Sequence, residues 1–253
     1  MQFNKIIPVL FFALTLPIGL SAQTAQLQVP ASAKQYPSFL TIDDYPDGSK
    51  YLPAPPDTSS IQYLYDFACY QWGKSLRSTE RGRLAAADAD MEDEALLRDF
   101  AEAFGLPLSP KTTPEIFRLV QLMNSDAGLA TWKAKRYYRR KRPYVQFSEP
   151  TSVPHDEARH RRSGSYPSGH SSTGWAVALV LAEINVAQQE AILRRGYELG
   201  ESRVIAGYHY QSDVDAGRLA GAACVARLHA DKAFAKQLER AKKEFQKLEV
   251  RND

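Results

Sequence analysis

The chain is 253 residues long, 44% hydrophobic and 24% charged, with a formal net charge of +3 at pH 7. Such a length can bury a full core, as one large domain or two small ones. Charge this close to balance excludes a global electrostatic pull toward nucleic acid or a membrane surface.

Met1 to Leu20 holds one lysine, at position 5, then an apolar run, and the small residues Ser21 and Ala22 follow. This order predicts a secretory signal peptide over residues 1–22, cut after Ala22, and with it an exported protein. The run is short and no stop-transfer pattern follows, so a retained anchor is not expected. No cysteine follows it to carry a lipid. Cleavage would remove one lysine and no acid, leaving 31 basic residues against 29 acidic ones. Residues 23–58 carry six prolines among scattered Asp, Gly and Ser, which predicts an irregular arm laid over the body.

Residues 59–249 read as one all-α domain of seven or eight helices. Ile61, Leu64, Tyr65, Ala68, Trp72 and Leu76 recur at helical spacing, and Ile116, Leu119, Val120 and Met123 do so again. Near the end, Phe234, Leu238, Ala241, Phe245 and Leu248 step by four and three, the seam of one more amphipathic helix. Cys69 and Cys224 each sit in such a pattern. They could pair in an oxidising compartment or stay as buried free thiols. The longest interruption is residues 144–167, and loops of that length inside a compact domain are usually functional or mobile.

Three separated segments carry chemistry. In "KAKRYYRRKR", Lys133 to Arg142, seven of ten residues are basic. A solvated face or a nucleic-acid patch would account for that, yet Lys135, Arg139 and Arg142 at i, i+4 and i+7 place three cations on one side of a helix that Pro143 helps to end. In "GSYPSGHSS", Ser168 is a plausible helix N-cap, so the amides of Gly169 and His170 would point outward with the positive end of the helix dipole, a ready phosphate site. Gly169 would also let the backbone approach a ligand closely. In "ESRVIAGYHYQSDVD", Ser212 and Asp215 resemble a capping box, so a helix should begin near Asp213 with His209 in the turn before it. Asp213, four residues beyond His209 across that turn, can reach one ring nitrogen, fix the tautomer and leave the other nitrogen free to act. Each segment alone also has a plainer reading as a surface face, a simple cap or an acid complementing a helix dipole.

Together they resemble a known signature. Lys135 with six residues before Arg142-Pro143, then Pro167-Ser-Gly-His170, then Ser202-Arg203 with five residues before His209 and three more before Asp213, match the three-part pattern of the phosphatidic-acid phosphatase type 2 superfamily at every position. Within it, "GSYPSGHS" and the run from Ser171 to Arg218 look like the secreted class A bacterial non-specific acid phosphatases, over a stretch from about Tyr63 to the C-terminal helix. Ser171 stands where that class usually has Thr, and both supply a hydroxyl.

The resemblance implies an all-α, single-domain helical bundle of the acid phosphatase/vanadium-dependent haloperoxidase type. It also implies hydrolysis of a broad range of phosphate monoesters, with phosphotransfer to alcohols as a side activity. By carry-over, His209 would attack phosphorus to form a phosphohistidine and Asp213 would orient its ring. Lys135, Arg142 and Arg203, with Ser168 and the Gly169 amide, would hold the phosphoryl oxygens, and His170 would be the general acid. No carboxylate and histidine cluster with metal-ligand spacing is found and no cofactor is expected, since three fixed cations can replace a divalent ion. The expected partners are small-molecule phosphate monoesters and other copies of the chain in a homo-oligomer, with no nucleic acid and no stable membrane association.

Two other readings stay open on the sequence. Vanadium haloperoxidases resemble the same signature, although the short chain and the class A run favour a phosphatase. An anion- or nucleic-acid-binding module built on "KAKRYYRRKR" explains neither His209 nor Asp213. A membrane lipid phosphatase would need spanning helices that the mature chain lacks.

Overall fold

The computed structural model describes residues 37–252. The predicted signal peptide and the first part of the predicted arm lie outside them. The described residues form twelve α-helical segments and no strand. In chain order these are α1 (Gly48–Tyr51), α2 (Ile61–Leu76), α3 (Glu80–Ala87), α4 (Asp93–Phe104), α5 (Pro114–Leu129), α6 (Trp132–Tyr138), α7 (Pro143–Gln146), α8 (Glu157–His160), α9 (Gly169–Ile184), α10 (Gln189–Ile205), α11 (Gln211–His229) and α12 (Lys232–Asn252). The number exceeds the seven or eight expected because α1, α7 and α8 are single turns of four residues and α6 spans only seven, all too short to show a period.

The centre of the bundle is α9. Its sequence is apolar on nearly every side, and Ala176, Val177, Val180 and Leu181 are all buried. A helix that is apolar all round has no solvent face, so it packs against α10, α11 and α5 at once. Burial of each Val or Leu there contributes roughly 1.5–3 kcal/mol relative to exposure. The predicted seams of α5 and α12 face this core: Ile116, Leu119, Val120 and Met123 are buried, as are Phe234, Leu238, Ala241 and Phe245.

The α2 stripe behaves differently. Ile61 is 80% exposed and Leu64 64% exposed, with Tyr65 and Trp72 also turned outward, while the buried face of the helix is Asp66, Tyr70 and Gly73. Its helical period is real, but the apolar side is not the core side.

Residues 37–58 lie against α5 and α6. The amides of Phe39 and Leu40 and the hydroxyl of Tyr45 donate to the carboxylate of Asp126, and Lys133 donates to the Tyr45 carbonyl. Cys69 on α2 is half-buried and Cys224 on α11 is buried; both are free thiols, so the pairing left open above is not made.

One close approach sets the position of the site. At Gly217 on α11 a Cβ atom would collide with the carbonyl oxygen of Ser168. Only glycine lets the N-terminus of α9 come that near α11. The Ser168 amide also donates to the Asp213 carbonyl at 2.8 Å, so the start of α9 and the start of α11 are joined backbone to backbone.

Candidate active site

Ser168 is the N-cap of α9, as its sequence position predicts, and its Oγ accepts from the Ser171 amide at 3.3 Å. The amides of Gly169 and His170 thus begin the helix, where no intrahelical acceptor exists for them. A Cβ at Gly169 would meet nothing nearer than Thr131 Oγ1 at 3.7 Å and Lys135 Cε at 3.9 Å. Packing within the protein therefore does not require this glycine, and the Lys135 side chain stands beside it.

Two details of the sequence reading need correction. Helix α6 stops at Tyr138, and Arg139 caps it in the left-handed region with φ 46°. Lys135 and Arg142 are consequently not on one helical face, and Arg139 is exposed, its Nε donating to the Arg136 carbonyl. The chain turns because Arg140 is held between two buried acids, Asp66 at 2.7 Å and Asp213 at 2.6 Å, and because a residue before proline disfavours the helical conformation. The second correction concerns the cap of α11. The helix starts at Gln211, with Asp213 at its third position and the Asp213 carboxylate accepting from the Tyr210 amide at 2.9 Å. Ser212, read as the cap, instead donates from its hydroxyl to Asp66 at 2.6 Å.

His209 sits just before that cap, in the turn opened by Gly207 at φ 87°, and is almost wholly buried. Its Nε2 lies 3.0 Å from an Nη1 of Arg142. A guanidinium can only donate, so Nε2 must accept and the ring proton resides on Nδ1. Nδ1 faces the Asp213 carboxylate at 3.5 Å and the Ser165 hydroxyl at 3.3 Å, and Ser165 itself donates to Asp213 at 2.5 Å. The tautomer is thereby fixed with its lone pair on the side of Arg142.

Arg142 is buried and aimed by carbonyls. Its Nε donates to the His160 carbonyl at 3.1 Å and its Nη2 to the Ser163 hydroxyl at 2.9 Å. Lys135 Nζ donates to the Gly164 carbonyl at 2.9 Å. Arg203, near the end of α10, is fully buried and stacks on the Tyr208 ring at 4.4 Å, yet none of its three guanidinium nitrogens has a hydrogen-bond partner among the described residues. Burial and then the neighbouring Arg142 push Arg203 down to about 10. Burial first, with Arg142 next, likewise drives Lys135 well below its usual value.

His170 is half-buried. Its Nε2 lies 3.4 Å from the Ala89 carbonyl, and the His160 ring meets it edge-on at 5.9 Å. Burial, then Arg203, His160 and His209, hold His170 well below the ordinary histidine value. His209 is lowered in the same way by burial and by Arg142, Lys135 and Arg203. All eight residues singled out in the sequence therefore converge on one place, tied by backbone contact or mutual electrostatic influence.

Four participants escaped the sequence reading: Arg140, Asp66, Ser165 and His160. Asp66 had a signal, being an acid on a helix whose other inward residues are Tyr70 and Gly73. Arg140 was hidden among seven basic residues, and Ser165 and His160 lie in the irregular stretch before α9, where no period helps.

The arrangement is chemically suited to a tetrahedral dianion. Three buried or half-buried cations and a helix N-terminus converge with no carboxylate aimed between them, since Asp213 is already occupied by Arg140, Ser165 and the Tyr210 amide. Among the described residues, no group of three or more His, Cys, Asp or Glu side chains is placed to hold a metal ion.

Comparison with known proteins agrees in kind. The PAP2 superfamily pattern matches residues 119–236. A non-specific acid phosphatase of Providencia stuartii is 51% identical over 203 residues, covering 80% of this chain and 82% of the other. A non-specific acid phosphatase of Salmonella typhimurium is 41% identical over 215 residues, 85% of this chain and 86% of the other. An acid phosphatase of Zymomonas mobilis is 32% identical over 241 residues, covering 95% and 91%.

Proposed function

Because the chain belongs to the PAP2-type bacterial acid phosphatases and is a phosphoric monoester hydrolase, we propose that it works by covalent phosphoryl transfer through His209, on a broad range of monoesters and without a metal. One observation carries this reading: the buried Arg203 guanidinium, which has no hydrogen-bond partner among the described residues. A buried charge left unpaired is costly, and such a group is retained where a ligand completes it. A phosphoryl group seated against Arg203, Arg142, Lys135 and the Ser168-Gly169 helix start supplies the missing negative charge. It would also take over the Arg142 contact now made with His209 Nε2, freeing that lone pair to attack phosphorus.

The steps then follow from the residues in place. His209 Nε2 forms the bond to phosphorus while the ester oxygen leaves, and the imidazolium that develops keeps its Nδ1 proton toward Asp213. Arg140, pinned between Asp66 and Asp213, holds the orienting carboxylate in position. The Ala89 carbonyl engages Nε2 of His170, which leaves Nδ1 to give a proton to the departing alkoxide and later to take one from the attacking water. An alcohol in place of water would yield phosphotransfer.

The cations do the work that a divalent ion would do in other phosphatases. Hydrolysis of p-nitrophenyl phosphate should therefore persist in excess chelator, while inorganic phosphate and vanadate compete with substrate. Loss of activity on chelation, restored by magnesium or zinc, would rule the scheme out.

The protein acts in the periplasm, exported by the leader at residues 1–22, and no described helix is long and apolar enough to cross a membrane. It assembles as a homo-oligomer. Support for assembly comes from the exposed apolar stripe on α2 and from the exposed Leu219 of α11. Replacing Leu64 and Trp72 together with lysine should reduce the mass seen by light scattering to that of one chain while p-nitrophenyl phosphate turnover continues. An unchanged mass would remove α2 from any interface.

A further inference from the structure

Beside the phosphoryl site lies a cavity of about 760 Å³, in the size range of pockets that enclose small organic ligands. Lys135, Arg142 and Gly169 form the wall it shares with that site. The buried Arg203 and His209 do not line it. Leu129 and Trp132 give it an apolar surface, and Arg139, Lys141 and Arg162 stand around the rest. No aspartate or glutamate among the described residues lines it.

A cavity for the alcohol portion of a neutral or singly phosphorylated sugar has no use for this charge. Walls that carry only one sign, with low-dielectric surface behind them, concentrate anions. The scissile phosphate is already served by Arg203, Arg142, Lys135 and the helix start, so the outer cations are surplus to it. Lys141 and Arg162 are solvent-exposed, outside the buried set that holds the reacting group.

Resting on the monoesterase reading above, we propose that this cavity receives a second phosphate borne by the alcohol of the substrate. Bisphosphorylated alcohols are then preferred over their monophosphorylated counterparts. The preference arises in binding, from charge at the cavity rim, and leaves the chemical step to the same residues.

The test compares 1,3-propanediol bisphosphate with 1,3-propanediol monophosphate, which share the scissile ester and differ in the second charge. After division by two for the two equivalent esters, kcat/KM for the bisphosphate should be about tenfold higher, corresponding to about 1.4 kcal/mol. The double variant Lys141→Ala, Arg162→Ala should bring the ratio close to one while leaving p-nitrophenyl phosphate hydrolysis unchanged. Raising ionic strength from about 0.05 to about 0.5 M should shrink the ratio in the native protein as screening sets in. A native ratio near one, or a tenfold ratio that the double variant leaves intact, overturns the proposal. Failure of p-nitrophenyl phosphate hydrolysis itself would instead count against the monoesterase reading.

Discussion

His209→Ala is expected to abolish turnover on every phosphate monoester, by on the order of a millionfold if loss of the nucleophile here costs what it costs in other covalent hydrolases. The geometry leaves no substitute. Nε2 of His209 has its lone pair established by its neighbour, at 3.0 Å from Arg142, and the ring is buried at the junction of α10 and α11. The quenched variant should carry none of the acid-labile, base-stable phosphate expected on the native protein. Asp213→Asn should be milder, because an amide can still accept from Nδ1 but cannot stabilise the imidazolium. It would also leave Arg140 with Asp66 as its sole carboxylate partner in the pair it now bridges. Near-native turnover in His209→Ala would sink the covalent mechanism.

The second large effect separates the two histidines. A general acid matters in proportion to the charge building on the leaving oxygen, so His170→Ala should slow hydrolysis of alkyl or sugar phosphates by about a hundred- to ten-thousand-fold. p-Nitrophenyl phosphate, whose phenolate leaves unaided, should lose far less. The pH profile carries independent information. His170 must be protonated to act, and burial together with Arg203, His160 and His209 holds it well below its ordinary value. Its protonated fraction therefore falls as pH rises while still in the acidic range, so kcat/KM should decline on the alkaline side below about pH 6.5, the ordinary histidine value. A bound dianion offsets those cations, and the same limb in kcat should lie at higher pH. Removing His170 should flatten the limb for the nitrophenyl ester under single-turnover conditions. Equal losses across a leaving-group series, with the limb intact, would leave His170 as an oxyanion contact only.

The helices of the core were legible because α5 and α12 obey a period that matches their burial. The α2 stripe obeyed it equally well and pointed the wrong way, since periodicity reports that one side is apolar and not what covers it. The single turns α1, α7 and α8 are too short to have a period. For the site, the resemblance to the family signature named eight residues, and the fold places them near one another. Local spacing failed where the chain leaves helical geometry: Arg139 was placed on a face that ends at Tyr138, and the cap of α11 was read two residues late because Asp213 serves both the Tyr210 amide and Arg140. Arg140, Ser165 and His160 act through three-dimensional neighbours more than 15 residues away or through irregular backbone, and no local pattern announces either.

The unpartnered guanidinium of Arg203 has a consequence for the molecule as a whole. A fold that gathers Arg203, Arg142 and Lys135 in one buried place is destabilised by its own site, and whatever binds there gives back part of what the gathering cost. The product of the reaction is the same anion. At a phosphate concentration a hundred times its dissociation constant, linkage alone adds about 2.7 kcal/mol to the free energy of unfolding, a large share of what a domain typically has. Inorganic phosphate is therefore expected to act on this protein in two opposed ways at once, slowing it as a catalyst and preserving it as a folded chain. Starved of phosphate, the enzyme should be at its most active and its least durable.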